Sequence, residues 1–133
     1  MNHEELRKLI NEDLKIDFSS LETEWQKQAL IYYKWSELWT EARHELNELK
    51  IKLSNIEAAL YVDIKVNYAN YNYKSAPTES AIKSIVIQDK DYIDTRAKIA
   101  SLTVKTELLS SAVRALEHKK SALENINTKS AAV

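Results

Sequence analysis

Three isolated histidines, a cluster of aspartates and a run of tyrosines set among lysines are the residues whose types and spacing could do chemistry. His3, His44 and His118 stand far apart, and none belongs to a His-x-x-x-His pair. Glu41 and His44 make the Glu-x-x-His step of di-iron helix bundles, but that chemistry needs a second such pair, which the chain lacks. Solvated polar side chains are the simpler account of all three. Asp89, Asp91 and Asp94 could gather a cation, yet Asp91 and Asp94 fit the N-cap and N3 positions of a helix start. Tyr68, Tyr71 and Tyr73 lie in a polar stretch between Lys65 and Lys74. Exposed rings offer π-faces to any base and lysines pair with phosphates, the chemistry of a single-strand-binding surface. A plain surface loop accounts for the same pattern. No nucleophile–base pairing is evident, so the expectation is a protein that is not an enzyme and uses no cofactor or metal.

Composition narrows the choice further. The chain has 133 residues and no glycine, where an average chain of this length carries about nine. Phosphate-cradling loops, dinucleotide fingerprints, nucleophile elbows and EF-hand turns all need glycine. Tight two-residue hairpins lose their usual residue too, which argues against an all-β fold. Cysteine is also absent, excluding disulfides, thiolate zinc sites and thiol catalysis. No apolar run exceeds about five residues, against about twenty for a bilayer span. The opening Met-Asn-His-Glu-Glu does not resemble a signal peptide. A cytoplasmic protein without membrane contact is expected. The net charge is −1, but residues 1–64 carry eight Lys/Arg against thirteen Asp/Glu, and residues 65–133 carry eleven against seven. That asymmetry permits a basic face toward an anionic partner without requiring one.

The elements that would position these groups are helical, in a single all-α domain spanning 1–133. A short helix over 3–14 would bury Leu6, Leu9, Ile10 and Leu14. Ser19 and Glu22 offer a capping box for a long helix over 20–66. From Leu21, steps of four and three give Trp25, Gln28, Tyr32, Trp35, Trp39, Ala42, Leu46, Leu49, Leu53, Ile56 and Leu60, and only Gln28 is polar. A 3.5-residue apolar repeat of this length marks a coiled-coil-like seam needing a partner of similar length. The tyrosine- and asparagine-rich stretch 67–77 ends at the only proline, Pro77, which suits the first turn of a short helix over 78–88. A second long helix over 92–127 carries Leu109, Val113 and Leu116 on its main seam, with Lys120 further along. A stripe from Ala97 to Ala115 lies beside it, and two stripes on one helix suggest self-association. Alternation at Val62, Ile64, Val66 and Tyr68 also permits a short extended segment near 62–68.

The order of these motifs resembles a known family. Asp13-Leu14-Lys15-Ile16-Asp17, then Leu21, Glu24 and Ile31-Tyr32-Tyr33-Lys34-Trp35, are similar to the UvsY recombination mediators of T-even-like bacteriophages. Ser80-Ala81-Ile82-Lys83-Ser84, Asp89-Lys90-Asp91 and a long helix ending near Glu124-Asn125-Ile126 continue the likeness, which covers about residues 10–127 and is poorest around 66–78. The resemblance implies a ring-like homo-oligomer of more than two subunits that binds single-stranded DNA. It also implies that such a protein weakens the hold of the phage single-strand DNA-binding protein and loads a RecA-like recombinase. Family members can place Lys and Arg late in the first long helix, just before a tyrosine, where this chain has Ala58 and Leu60 before Tyr61. The DNA-binding candidates are therefore Lys50, Lys52, Lys65, Lys74 and Lys83 with Tyr68, Tyr71 and Tyr73. Trp25, Tyr32, Trp35, Trp39 and the aliphatic seam are assigned to core or subunit interface. A coiled-coil scaffold that binds only proteins is the rival reading.

Overall fold

The computed structural model describes residues 2–131 of the chain, with side chains through residue 126. Four α-helices account for it: α1 His3–Leu14, α2 Leu21–Val66, α3 Glu79–Val86 and α4 Lys90–Ala131, with 3-10 turns at Phe18–Ser20 and Tyr68–Tyr71. The protein is all-α, and the described residues contain no strand. Residues 62–66 continue α2 rather than extending, because the apolar face through Leu53, Ile56, Leu60 and Ile64 gains a core by staying helical. Two compact units form: residues 1–43 with 104–133, and residues 44–103.

In the first unit α1 starts on Asn2, whose side chain accepts from the Glu5 amide at 2.8 Å. Leu6 and Ile10 are buried, whereas Leu9, expected inside, is 46% exposed. One apolar stripe suffices for so short a helix. The capping box expected at Ser19 and Glu22 does not form. Instead Asp17 caps the 3-10 turn, accepting from both the amide and the hydroxyl of Ser19. These bonds also hold the Asp17 carboxyl below its ordinary range. The core comprises Trp35, Ala42, Leu109, Ala112, Val113, Leu116 and Leu123.

Polar groups fix the register of this unit. Gln28, the one polar seam position, is buried and donates to the Leu116 carbonyl at 3.0 Å. Among the described side chains of α4, Lys119 rather than the seam residue Lys120 is the buried cation. Its ammonium meets Glu24 at 2.8 Å and the Asp13 carbonyl at 2.9 Å. The Asp13 carboxylate accepts from Lys34 at 2.6 Å and from the Trp35 indole at 2.7 Å. Burial pushes the Asp13 carboxyl upward, but these donors and the neighbouring ammonium groups outweigh it and leave it below the usual range. Trp35 therefore satisfies both demands of a buried indole, an apolar seat and an acceptor for its N–H.

The second unit is built on Ile64, Ile82, Val86 and Tyr92, with Leu53, Ile56, Leu60, Tyr61, Tyr71 and Ile85 packed against them. Thr78 caps α3, accepting from the Ala81 amide at 3.2 Å, so Pro77 precedes the cap instead of occupying the first turn. Asp89 caps α4, accepting from the Tyr92 amide at 3.1 Å. The cap expected at Asp91 thus lies two residues earlier, and Tyr92 sits at N3 with its ring buried.

Candidate nucleic-acid interface

All eight sequence-derived DNA-binding candidates belong to the second unit. Lys50, Lys52, Lys65, Lys74 and Lys83 are exposed, and among the described residues none is paired with a carboxylate. Helical geometry sorts the three on α2. At about 100° per residue, Lys50 and Lys65 fall about 60° apart on one side, whereas Lys52 lies about 200° from Lys50. Tyr61 shares the side of Lys50 and Lys65. Its ring carries the Lys65 ammonium 5.4 Å from the centroid, and its hydroxyl donates to Glu79. The ring orients the lysine without neutralising it.

The loop is more ordered than its composition suggests. Asn72 takes the left-handed conformation (φ 67°) that glycine usually supplies, and asparagine tolerates it better than most residues. The Asn72 amide then closes the 3-10 turn on Ala69 and Tyr68 carbonyls. The Tyr73 amide donates to the Tyr68 carbonyl at 3.2 Å. At the end of α2, Asp63 accepts from the Asn67 side chain at 2.8 Å and from the Tyr71 hydroxyl. Those two bonds, Tyr71 first, hold the Asp63 carboxyl low, and the same bond raises the Tyr71 phenol.

The expectation of three exposed tyrosines is corrected here. Tyr68, Tyr71 and Tyr73 are all half-buried, and Tyr71 both packs on the apolar cluster and spends its hydroxyl on Asp63. A ring held that way positions the loop rather than offering a free face. Leu60, standing where family members can carry a basic residue, is packed on the same cluster, and Ala58 is exposed. Tyr61 escaped the site assignment, although its i,i+4 spacing to Lys65 was the available signal. In the first unit Trp35 is buried as expected and Tyr32 and Trp39 are half-buried, but Trp25 is 43% exposed. Along α2, Leu46 is buried and Leu49, Leu53, Ile56 and Leu60 are half-buried. Leu109, Val113 and Leu116 of α4 are buried. No helix among the described residues is long and apolar enough to cross a membrane, and none of their side chains cluster as metal ligands.

The family described as recombination, repair and ssDNA binding protein UvsY matches residues 9–131. No curated protein matches the chain in sequence. Three crystal structures of the bacteriophage T4 recombination mediator protein UvsY share its fold. Lattice type IV gives a TM-score of 0.80 at 18% identity, covering 98% of this chain and 98% of that chain. Lattice type II gives 0.78 at 18% identity, covering 98% and 96%, and lattice type I gives 0.76 at 18%, covering 96% and 97%. At such identity the likeness shows the fold, which a retained apolar pattern can specify while the surface changes.

Proposed function

We propose a function from the premise that this chain belongs to the UvsY family of recombination, repair and single-stranded-DNA-binding proteins. It acts as a recombination mediator, binding single-stranded DNA and loading a RecA-like recombinase onto strands coated by the phage single-strand DNA-binding protein. The family match over residues 9–131 is the observation that carries this reading. Its site of action is the host cytoplasm.

The DNA path runs over the second unit, along Lys50, Lys65, Lys74 and Lys83, with Tyr68 and Tyr73 as partial stacking surfaces. Lysines free of carboxylates support this choice, because a cation already neutralised at home releases few counterions from DNA. Tyr71 serves as a support for the loop, and Lys52, facing away from Lys50, contributes least. Neither phosphate pairing nor ring stacking reads base edges, so sequence preference is weak. Each patch is small. Assembly into a ring of more than two subunits repeats it, converting weak binding at each patch into avidity. Phosphate pairing and ring stacking make and break no covalent bond.

The test is equilibrium binding of an oligothymidine strand across a range of salt, with assembly followed by sedimentation. Lys65→Ala with Lys74→Ala flattens the salt slope by about 0.7 for each phosphate that is no longer neutralised. Tyr73→Ala weakens binding by about 1 kcal/mol at every salt concentration, the low end expected for a half-covered ring. Recombinase ATPase on protein-coated DNA then reports loading, and the unmutated chain shortens the lag. An unmutated chain that binds no single strand refutes the DNA path and leaves a scaffold for proteins.

A further inference from the structure

Tyr61 of α2 is half-buried and packs against the apolar cluster of Ile64, Ile82, Val86 and Tyr92. The Lys65 ammonium lies 5.4 Å from its ring centroid. Its hydroxyl reaches α3 and donates to the Glu79 carboxylate. Packing on the cluster fixes where the ring stands, so the core and not solvent sets the direction of that bond. Glu79 is the first residue of α3 and is exposed.

Glu79 has a second partner within reach on its own helix. Lys83 follows it by four residues, and a glutamate one turn before a lysine is the favourable order for an ion pair on a helix surface. Among the described residues Lys83 is paired with no carboxylate, Glu79 included. An exposed ion pair gains little after screening and side-chain ordering, whereas a hydroxyl donating to an ionised carboxylate makes a charge-assisted bond. The phenol therefore holds the carboxylate toward α2, and the Lys83 side chain stays in solvent. Lys65 is placed by the same residue in another way, over the face of its ring.

We infer that Tyr61 is a positioning residue for single-stranded DNA, holding Glu79 from Lys83 through its hydroxyl and Lys65 in place through its ring. This role rests on the DNA path proposed above, to which both lysines belong. A lysine already paired at home must break that pair before it can neutralise a phosphate, and its contribution to counterion release shrinks accordingly. By taking Glu79, Tyr61 spares Lys83 that cost. It acts through the two lysines and has no need to touch the strand itself.

Two measurements on the full chain test this, the first without DNA. A carbodiimide joins a carboxylate to an amine in contact with it, forming an amide while the carbodiimide takes up the water as a urea. Peptide mass spectrometry locates the link. In the unmutated chain the Glu79–Lys83 link is scarce. Tyr61→Phe, which keeps the ring and its packing but has no hydroxyl, raises its yield severalfold. The second measurement is oligothymidine binding across a range of salt. Tyr61→Phe weakens binding about twofold at low salt and flattens the salt slope by up to about 0.7, the value of one phosphate contact. Adding Glu79→Gln to Tyr61→Phe removes the released charge and restores the slope. Adding Glu57→Gln instead, an equal charge change at an exposed position of α2, does not restore it. A purely structural role for Tyr61 would be indifferent to which glutamate is neutralised. Circular dichroism checks that each variant is folded. An unchanged cross-link yield in Tyr61→Phe overturns the proposal whether or not DNA binds. A raised yield with an unchanged slope overturns it as well, because Lys83 then lies off the path. Restoration by Glu57→Gln as complete as by Glu79→Gln overturns it in favour of a general charge effect. An unmutated chain that binds no strand refutes the DNA path and the positioning role with it, while a raised cross-link would still show that Tyr61 holds Glu79 from Lys83.

Discussion

Two lysines of the first unit and five of the second are held in opposite ways. In the first, Lys119 is buried against Glu24 and Asp13, and Lys34 is committed to Asp13. In the second, Lys50, Lys52, Lys65, Lys74 and Lys83 are exposed, and among the described residues none is paired with a carboxylate. Net charge does not produce this contrast. The first unit carries eleven Lys/Arg against twelve Asp/Glu, and the second carries eight against eight. What differs is the polar partner that each fold brings near. Around α1 a carboxylate and a carbonyl converge on ammonium groups, whereas at the loop Asp63 is taken by a phenol and an amide. Hydroxyl and amide donors thus occupy acidic groups in the second unit and leave its lysines to solvent.

Substitutions sharpen this contrast, beginning with the largest effect. Trp35→Ala removes the largest buried side chain of the first unit and the donor to Asp13. Denaturant unfolding is expected to show a loss of about 4 kcal/mol. Lys119→Ala leaves Glu24 and the Asp13 carbonyl without their cation, and a broken buried pair costs about 3 kcal/mol. Lys65→Ala, by contrast, changes the melting temperature little, since an exposed charge on a ring contributes less than about 1 kcal/mol. A Lys119→Ala protein as stable as Lys65→Ala would break the distinction between spent and free cations.

Tyr71→Ala tests the loop. Tyr71 packs on the apolar cluster, so its truncation costs about 2 kcal/mol, roughly half the value for a fully buried ring. Thermal unfolding checks this, and an unchanged melting temperature would return Tyr71 to the candidate stacking rings. Acid gives the smallest effect. The folded-state Asp13 carboxyl lies below its ordinary range, so its contribution is present above the unfolded value of about 3.9 and is lost as pH falls through the folded value. Melting temperature therefore drops below about pH 4, and Asp13→Asn shows a shallower drop over the same window.

Much of this protein was legible before any coordinates. Absent glycine, a single proline and the apolar repeat from Leu21 to Leu60 pointed to an all-α chain with breaks over 15–19 and 67–77, because helix periodicity and breakers are local properties. The order of short motifs was enough to point to the family, which the match over residues 9–131 shows. Local signals failed where two acceptors competed for one role. Ser19 and Asp17 could each cap, as could Asp91 and Asp89, and the winner depended on where the preceding chain turned.

Tertiary structure alone decided which polar residues are free. Lys119 and Lys120 are adjacent and alike in sequence, yet one is buried against Glu24 and the other lines an open groove. A lysine's position on a helix gives the side it faces. Whether that side holds a carboxylate, a ring or water depends on residues as distant as Asp13 is from Lys119, and no local pattern records their approach. The same holds for Tyr71. Its polar neighbourhood reads as surface, but Ile64, Ile82 and Val86 arrive from two other helices and give its ring an apolar seat. Composition and periodicity determined the helices, and the meeting of distant side chains determined which charges remain available for a partner.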